Sequence, residues 1–209
     1  IDTIIHLAAK TIVTESEKKP KLYYNVNVLG TRSLLMAAEN SSVKNFLFSS
    51  TAAVYGSKIR YVNENSKTSP DSVYGKTKLQ AEHLVKKEFK KNYIILRYFN
   101  VVGASPSKKI GLINRYGQLF KNFAVEILKK KPKLSVYGNN YNTADGTCIR
   151  DFIHVSDLAD IHLKGHWKDP EVENQRIRNI PGVVDTGFFF NLAGRVLIGN
   201  SQGQVKIVS

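Results

Sequence analysis

The order of apolar segments along the chain predicts an α/β protein with a doubly wound parallel sheet. Residues 2–8 form a largely apolar run of the kind found in buried parallel strands, and similar runs occur at 45–50 and 93–99. Two segments with apolar residues at helical spacing, 20–39 and 72–91, lie between these runs. Strand, helix, strand, helix and strand in alternation is the order expected for such a sheet.

Shorter segments continue the pattern towards the carboxyl end. We predict a helix over 116–130, which Pro132 stops, and short strands at 133–137 and 149–153. A last helix is expected after Ser156, because serine is a favoured helix N-cap.

Length and composition argue against a membrane protein and a disulfide-bonded protein. The 209 residues suffice for one domain with a core, or for a domain with an appendage. No apolar run approaches the roughly 20 residues that span a bilayer, so we expect no membrane association. Cys148 is the only cysteine, which excludes an internal disulfide and a cysteine metal site. A reducing cytoplasm is the predicted location.

The net charge of +14 allows two interpretations. One is a nucleic-acid-binding protein, whose affinity would come from lysines against phosphates. The other is a lysine-rich solvated surface, which we prefer because the lysine clusters fall late in predicted helices, where the helix dipole favours cations. We therefore expect no nucleic-acid partner, although the charge can help to attract a phosphorylated ligand.

A tyrosine and a lysine at the start of the second long helix form a candidate catalytic pair. Tyr74 and Lys78 are four residues apart, so both project from one helix face. A lysine beside a phenol favours the phenolate and lowers the tyrosine pKa, which would make Tyr74 a general base. This spacing also arises by chance, and an exposed helix face is the alternative.

Polar residues follow two of the predicted strands. Ser49, Ser50 and Thr51 end one strand, and Asn100 ends the next. Chemistry in a doubly wound sheet gathers at the carboxyl ends of its strands. These residues therefore favour the catalytic interpretation of Tyr74 and Lys78.

Five motifs extend this set. They are Ile5-His6-Leu7-Ala8-Ala9, Ser49-Ser50-Thr51 with Val54-Tyr55-Gly56, Tyr74-Gly75-Lys76-Thr77-Lys78, Arg97-Tyr98-Phe99-Asn100 and Arg150-Asp151-Phe152-Ile153-His154-Val155. In this order and at near-family spacing they resemble the UDP-glucose 4-epimerases, which belong to the NAD-dependent epimerase/dehydratase family of extended short-chain dehydrogenases/reductases. The resemblance covers residues 1–163 and implies a Rossmann-type sheet with part of a C-terminal substrate domain.

The resemblance implies NAD-dependent inversion at C4 of a UDP-glucose or UDP-galactose sugar through a 4-keto intermediate. Tyr74 would take the proton from the 4-hydroxyl, Thr51 would hydrogen-bond the reacting oxygen, and Lys78 would hold the nicotinamide ribose. The implied NAD-binding residues are Ala8, Ala9, Asn27, Ser49, Tyr74 and Lys78.

The implied substrate-binding residues are Thr51, Asn100 and Arg150, the last two holding the diphosphate-sugar portion. His6 and His154 lie in apolar strands and are predicted to be structural. In the family, paired helices often form a homodimer, which makes 20–39 and 72–91 the candidate interface.

Both ends of the chain depart from the family. No Gly-rich turn precedes Ile1, so we expect an N-terminally truncated, incomplete sheet and impaired activity. Residues 167–209 resemble the C-terminal end of ribose-5-phosphate isomerase A, without its active-site segments. We therefore divide the chain into a 1–163 epimerase-like region and a 164–209 tail, expected to form a helix plus hairpin. An inactive fusion or remnant fragment, or an isomerase indicated by the tail, are the alternatives.

Overall fold

A computed structural model describes residues 1–57, 61–105, 118–136 and 138–163, together with the backbone of two strands at 196–199 and 205–208. In chain order the strands are β1 (Thr3–His6), β2 (Asn45–Thr51), β3 (Asn92–Tyr98), β4 (Asn100–Val102), β5 (Phe152–His154), β6 (Val196–Gly199) and β7 (Val205–Val208). The α-helices are α1 (Val13–Lys18), α2 (Pro20–Tyr23), α3 (Gly30–Glu39), α4 (Val73–Glu88), α5 (Leu119–Ile127) and α6 (Val155–Leu163).

The first three strands form one parallel sheet in the order β1-β2-β3. Ile4 of β1 is opposite Phe46 of β2, and Ser50 of β2 is opposite Arg97 of β3. Parallel neighbours require crossover connections, and α3 and α4 supply helices for the two crossovers. The three predicted strands and the doubly wound α/β arrangement are confirmed.

Alternate residues of β2 pack on opposite faces of this sheet. Phe46 and Phe48 face α3 and α4, in a cluster that includes Leu35, Val85 and Phe89. On the other face, the cluster around Leu47 includes Ile94, Leu96 and, from α6, Ile161. Burial on both faces explains why β2 is a continuous apolar run rather than an alternating one.

The helix predicted over 20–39 is continuous but not uniform. Pro20 begins α2, as proline commonly does at a first helical position. A π-helical stretch, Tyr24–Leu29, then joins α2 to α3. Intrinsic helix propensity cannot predict this wider turn, and π-bulges of this kind are often found at functional sites.

Four other predictions need correction. Residues 133–136 are exposed and pair with no strand in the described part of the chain, and Tyr137 lies outside it. The strand predicted at 149–153 covers Phe152–His154, because its parallel partner β4 is only three residues long. Asn100 begins β4 instead of ending β3. Ser156 lies inside α6, which starts at Val155, so it is not the N-cap.

The remaining boundaries are close to those predicted. α5 spans Leu119–Ile127 within the predicted 116–130, of which 116 and 117 fall outside the described residues. In the tail, β6 and β7 pair antiparallel as a hairpin, and the predicted helix lies outside the described residues. No helix in the described ranges is long and apolar enough to cross a membrane.

Lys91 closes the carboxyl end of α3, and we expect its loss to destabilise the fold. Its Nζ donates to the carbonyl oxygens of Ala38 at 3.4 Å, Glu39 at 3.0 Å and Ser41 at 3.0 Å. These carbonyls belong to the helix end that lacks internal partners. Lys91→Met should lower the free energy of unfolding by about 1 kcal/mol in urea titrations. Lys90→Met, at an exposed neighbour, is the control; equal effects of the two substitutions would contradict the assignment.

Candidate active site

The candidate site lies where the strands of the first sheet reach their carboxyl ends. The loop after β1 carries Ala8 and Ala9, and β2 ends at Thr51. The first turn of α4 packs against the same edge. This close contact is possible because Gly75 has no side chain. A Cβ on Gly75 would lie 2.8 Å from the carbonyl oxygen of Ala53, a separation that real Cβ atoms do not reach. The glycine between Tyr74 and Lys78 is thus a packing requirement.

Tyr74 occupies the first turn of α4, where three side chains fix the helix end. Ser72 is the N-cap, and its hydroxyl accepts a hydrogen bond from the Gly75 amide at 3.0 Å. Ser16 Oγ accepts from the Tyr74 amide at 3.1 Å, and Glu17 accepts from the Val73 amide at 2.8 Å. α1 therefore orients the beginning of α4, and with it the Tyr74 phenol.

The side chain of Thr51 lies beside the Tyr74 phenol. Burial raises the pKa of Tyr74, and the nearby hydroxyl of Thr51 acts in the opposite direction. The direction differs from the expected depression by Lys78. The sequence placed the two side chains on one helix face, but it could not show that desolvation of the phenol is the larger effect.

Lys78 is buried, with 3% of its surface exposed, and its Nζ lies 4.1 Å from the centroid of the Phe48 ring. Burial lowers the pKa of Lys78 to about 8, while the charge of Glu82 opposes the shift. Across the described ranges, the ammonium group has no hydrogen-bond acceptor. A buried ammonium with three unsatisfied donors is costly, and a ligand with hydroxyl or anionic oxygens would satisfy it.

Asn27 is 1% exposed, and both the oxygen and the nitrogen of its side-chain amide form hydrogen bonds within the protein. Its Oδ1 accepts from the Lys10 amide at 2.8 Å, and its Nδ2 donates to the Lys10 carbonyl at 3.0 Å and to Thr77 Oγ1 at 3.1 Å. Asn27 thus holds the loop that contains Ala8 and Ala9. The structure assigns it to shaping the loop, and direct contact between its amide and a cofactor stays a prediction.

The three hydroxyls that end β2 have three different partners. Ser49 lies close enough to the Tyr98 phenol, and Thr51 to the Tyr74 phenol, to oppose the rise in the pKa of each tyrosine. Ser50 Oγ donates to a carboxylate oxygen of Glu82. The sequence presents these residues as one cluster, whereas the alternation of a strand places Ser50 on the face opposite to Ser49 and Thr51.

A buried ion pair beside the site was missed by the sequence reasoning. Glu82 is fully buried, and it accepts from Arg97 Nη2 at 2.7 Å and Nε at 3.0 Å. Arg97 Nη1 also donates to the Tyr55 hydroxyl at 2.7 Å. The available signal was spacing, because Glu82 follows Lys78 by four residues and Tyr74 by eight, which places all three on one helix face.

Of the proposed substrate residues, Thr51 ends β2, and Asn100 and Arg150 lie in or beside the second, two-stranded sheet. Asn100 is the first residue of β4, and its Nδ2 donates to the carbonyl oxygen of Asp151 at 2.9 Å. Arg150 is exposed and immediately precedes Asp151. The structure brings Asn100 and Arg150 to adjacent segments, and their binding role stays a prediction.

A cavity of about 960 Å³ opens beside β4. Residues from the end of β4, the start of α5 and one face of α6 line it, including Val102, Gly103, Gln118, Lys121, Ser156 and Asp160. This volume lies in the range of small-molecule sites.

The two strand histidines differ in environment. His6 is 8% exposed and its Nε2 lies 2.9 Å from Thr31 Oγ1, which agrees with the predicted structural role. His154 is exposed, and its Nδ1 accepts from the Ser156 amide at 3.2 Å. His154 is thus the last residue of β5, as predicted for a strand position, and its structural role stays a prediction.

We expect His6 to make stability depend on pH. Burial, assisted by the charge of Lys78, lowers the pKa of His6 from 6.5 to about 4. Between these values the unfolded chain binds the proton and the folded chain does not, so stability is lost as pH falls through this window. The contribution is about 3 kcal/mol between pH 7 and pH 4.

Urea unfolding of the wild type and His6→Gln at both pH values would measure this contribution. The variant should lose less stability on acidification, and His83→Gln, at an exposed position of α4, should behave as the wild type. An identical pH dependence for wild type and His6→Gln would contradict the assignment.

Comparison with known proteins identifies the same family that the sequence motifs indicate. The profile of the NAD dependent epimerase/dehydratase family matches residues 1–180, beyond the boundary drawn at 163. A UDP-glucose 4-epimerase of Halalkalibacterium halodurans is 41% identical over 167 residues, covering 78% of this chain and 50% of that protein. The chain thus spans about half the length of the curated relatives that it matches.

Two solved structures share the fold. The UDP-glucose 4-epimerase of Brucella ovis, in complex with NAD, has a TM-score of 0.70 and 39% identity, over 77% of this chain and 51% of that one. The enzyme of Bifidobacterium longum, in complex with NAD+ and UDP, has a TM-score of 0.70 and 37% identity, over 78% of this chain and 51% of that one.

Proposed function

Because this chain belongs to the NAD dependent epimerase/dehydratase family, we propose that it carries the reacting residues of a UDP-glucose 4-epimerase. The observation that carries the proposal is the approach of Thr51, at the end of β2, to the Tyr74 phenol on α4, the helix that also carries the buried Lys78 ammonium. This arrangement combines a proton acceptor, a hydroxyl that orients the reacting oxygen, and a cation.

The donor set of the site fits NAD. The ammonium of Lys78 requires oxygen acceptors, and the two hydroxyls of a nicotinamide ribose would supply them. Ala8 and Ala9 follow β1 at the strand edge, where nucleotides bind in doubly wound sheets. When bound there, NAD+ would accept a hydride from the sugar and return it. The NAD complexes of the relatives from Brucella and Bifidobacterium support this choice of cofactor.

Tyr74 is proposed to move the proton of the sugar 4-hydroxyl. Its phenol would accept the proton as the hydroxyl is oxidised, and would return it when the 4-keto sugar is reduced on the other face. Thr51 would donate a hydrogen bond to the same oxygen. Burial alone disfavours the Tyr74 phenolate, so the nearby cation of Lys78 would be needed to stabilise it.

The second sheet and its cavity support the proposed substrate class. Asn100 offers an amide and Arg150 a guanidinium, which can bind the oxygen atoms of a diphosphate. The cavity beside β4 has room for the nucleotide portion. We therefore propose a UDP-sugar as the substrate, in agreement with the UDP found in the Bifidobacterium longum structure.

Calorimetric titration with NAD+ tests the proposal, together with an assay of UDP-glucose conversion to UDP-galactose. We expect the wild-type chain to bind NAD+, and Lys78→Met to bind it more weakly because the ribose loses its cationic partner. Lys76→Met, at an exposed position of the same helix, is the matched control and should bind NAD+ as the wild type does. No NAD+ binding by a chain that unfolds cooperatively would contradict the proposal.

A further inference from the structure

Glu82 lies at the centre of a buried network one helical turn beyond Lys78. None of its side-chain surface is exposed, and Arg97, its ion-pair partner, is 11% exposed. Both guanidinium–carboxylate bonds are short, at 2.7 and 3.0 Å, and Ser50 donates a further hydrogen bond to the carboxylate. Isolated carboxylates are rarely buried, and this one has a complete set of partners.

The network connects the elements that hold the reacting residues. Ser50 of β2 is opposite Arg97 of β3 in the sheet register, and Ser50 precedes Thr51 directly. Glu82 lies on the face of α4 that also carries Lys78 and Tyr74. A rotation of α4 that moved Tyr74 away from Thr51 would also pull Glu82 away from Ser50 and Arg97.

The network also compensates the charge of Lys78. Lys78 has no hydrogen-bond acceptor in the ranges that the structure describes, so burial favours loss of its proton. The carboxylate of Glu82 favours the ammonium instead. His6 on β1 also feels the charge of Lys78 and is neutral near pH 7, because its pKa is lowered to about 4. Tyr74 lies one turn before Lys78 on α4, and Arg97 contacts Glu82.

We propose that Glu82 is a positioning residue for the reaction: its network fixes the rotation of α4 against β2 and keeps Lys78 in the ammonium form. This inference rests on the proposed function for the identity of Tyr74 and Lys78 as the reacting pair. The network itself is defined by contacts within the chain. Glu82 acts through Lys78 and Tyr74, so its effect can be measured on Lys78 directly.

The titration of Lys78 tests the proposal without any turnover. Lysine labelled with ¹³C at the ε-carbon gives a resonance for each side chain, and Lys78→Arg identifies the resonance of Lys78. The wild-type midpoint should lie near pH 8, and Glu82→Gln should move it to lower pH. Glu88→Gln, the same substitution at the surface pair with Arg32 on the same helix, should leave it unchanged.

Glu82→Gln leaves Arg97 buried without its carboxylate and can prevent folding. The double variant Glu82→Gln/Arg97→Met removes both charges and avoids this cost, and its Lys78 midpoint should still fall below that of the wild type. Glu82→Asp keeps the charge and should restore part of the shift. A folded variant without the Glu82 carboxylate whose Lys78 midpoint equals that of the wild type would overturn the proposal.

NAD+ titration of the same proteins separates the two conclusions. If the wild-type chain does not bind NAD+ but the Lys78 midpoint still depends on Glu82, the proposed function fails while the electrostatic role of Glu82 holds. If NAD+ binds and the midpoint is independent of Glu82, the proposed function holds and the role of Glu82 fails.

Discussion

Replacing Tyr74 by phenylalanine is expected to lower the rate of UDP-glucose conversion about 100-fold to 10,000-fold, the usual contribution of a positioned acid–base group. The substitution removes one oxygen atom and retains the ring, so α4 should keep its place against β2. Ser72, Ser16 and Glu17 fix the start of the helix through backbone amides, which the change does not touch. NAD+ affinity should therefore change far less than the rate.

Tyr93→Phe provides the matched control, because Tyr93 is 39% exposed near the start of β3, at the strand end opposite to the site. Rates are to be compared at saturating substrate, with circular dichroism to verify the fold. A Tyr74→Phe rate close to that of the wild type would show that another group moves the proton. The absence of conversion by the wild-type chain would count against the proposed function. The effect of Tyr74→Phe would then be measured on NAD+ affinity alone.

Phe46→Ala is expected to cost about 3–5 kcal/mol of folding free energy, as is typical for removing a buried aromatic ring. Phe46 has no exposed surface, and its ring centroid lies 5.5 Å from that of Phe89 and 6.0 Å from that of His6. The ring is therefore packed between α4 and the sheet, where the neighbours cannot collapse fully into the vacated space. A loss of this size is a large share of the roughly 5–15 kcal/mol that stabilises a domain.

Urea unfolding followed by circular dichroism measures the effect. Leu128→Ala is the control, because Leu128 is 87% exposed at the end of α5, and its substitution should change the unfolding free energy by no more than about 0.5 kcal/mol. A Phe46→Ala variant that unfolds at the wild-type urea concentration would mean that the sheet and α4 do not form one cooperative unit.

The first sheet and its helices could be predicted because their signals are local. Each strand is an apolar run, and α4 carries its own N-cap, Ser72, and lysines in its last turn. The placement of Tyr74 and Lys78 on one helix face follows from the helix period alone. The approach of Thr51 to Tyr74 follows from chain order, because the crossover helix α4 begins on the side of the sheet where β2 ends.

Other features depend on tertiary contacts that no short segment encodes. The boundary between β3 and β4 is set by a partner, β5, about fifty residues later in the chain. The sequence around Glu82 does not distinguish it from an exposed helix glutamate. Its burial depends on Arg97, which the sheet register places opposite Ser50. The rise in the pKa of Tyr74 depends on how much water the fold excludes, which residue spacing does not contain.

The hydrogen bonds of Asn27 imply that the loop after β1 moves as part of the core. The Asn27 amide closes a ring with both backbone groups of Lys10, and Thr77 continues the chain of bonds to the carbonyl of Tyr74 at 2.8 Å. The Lys10 amide should therefore exchange its proton with solvent as slowly as a strand amide, although it lies in a loop. Such a loop presents a ligand with a surface formed in advance, so little conformational entropy would be lost when the ligand binds.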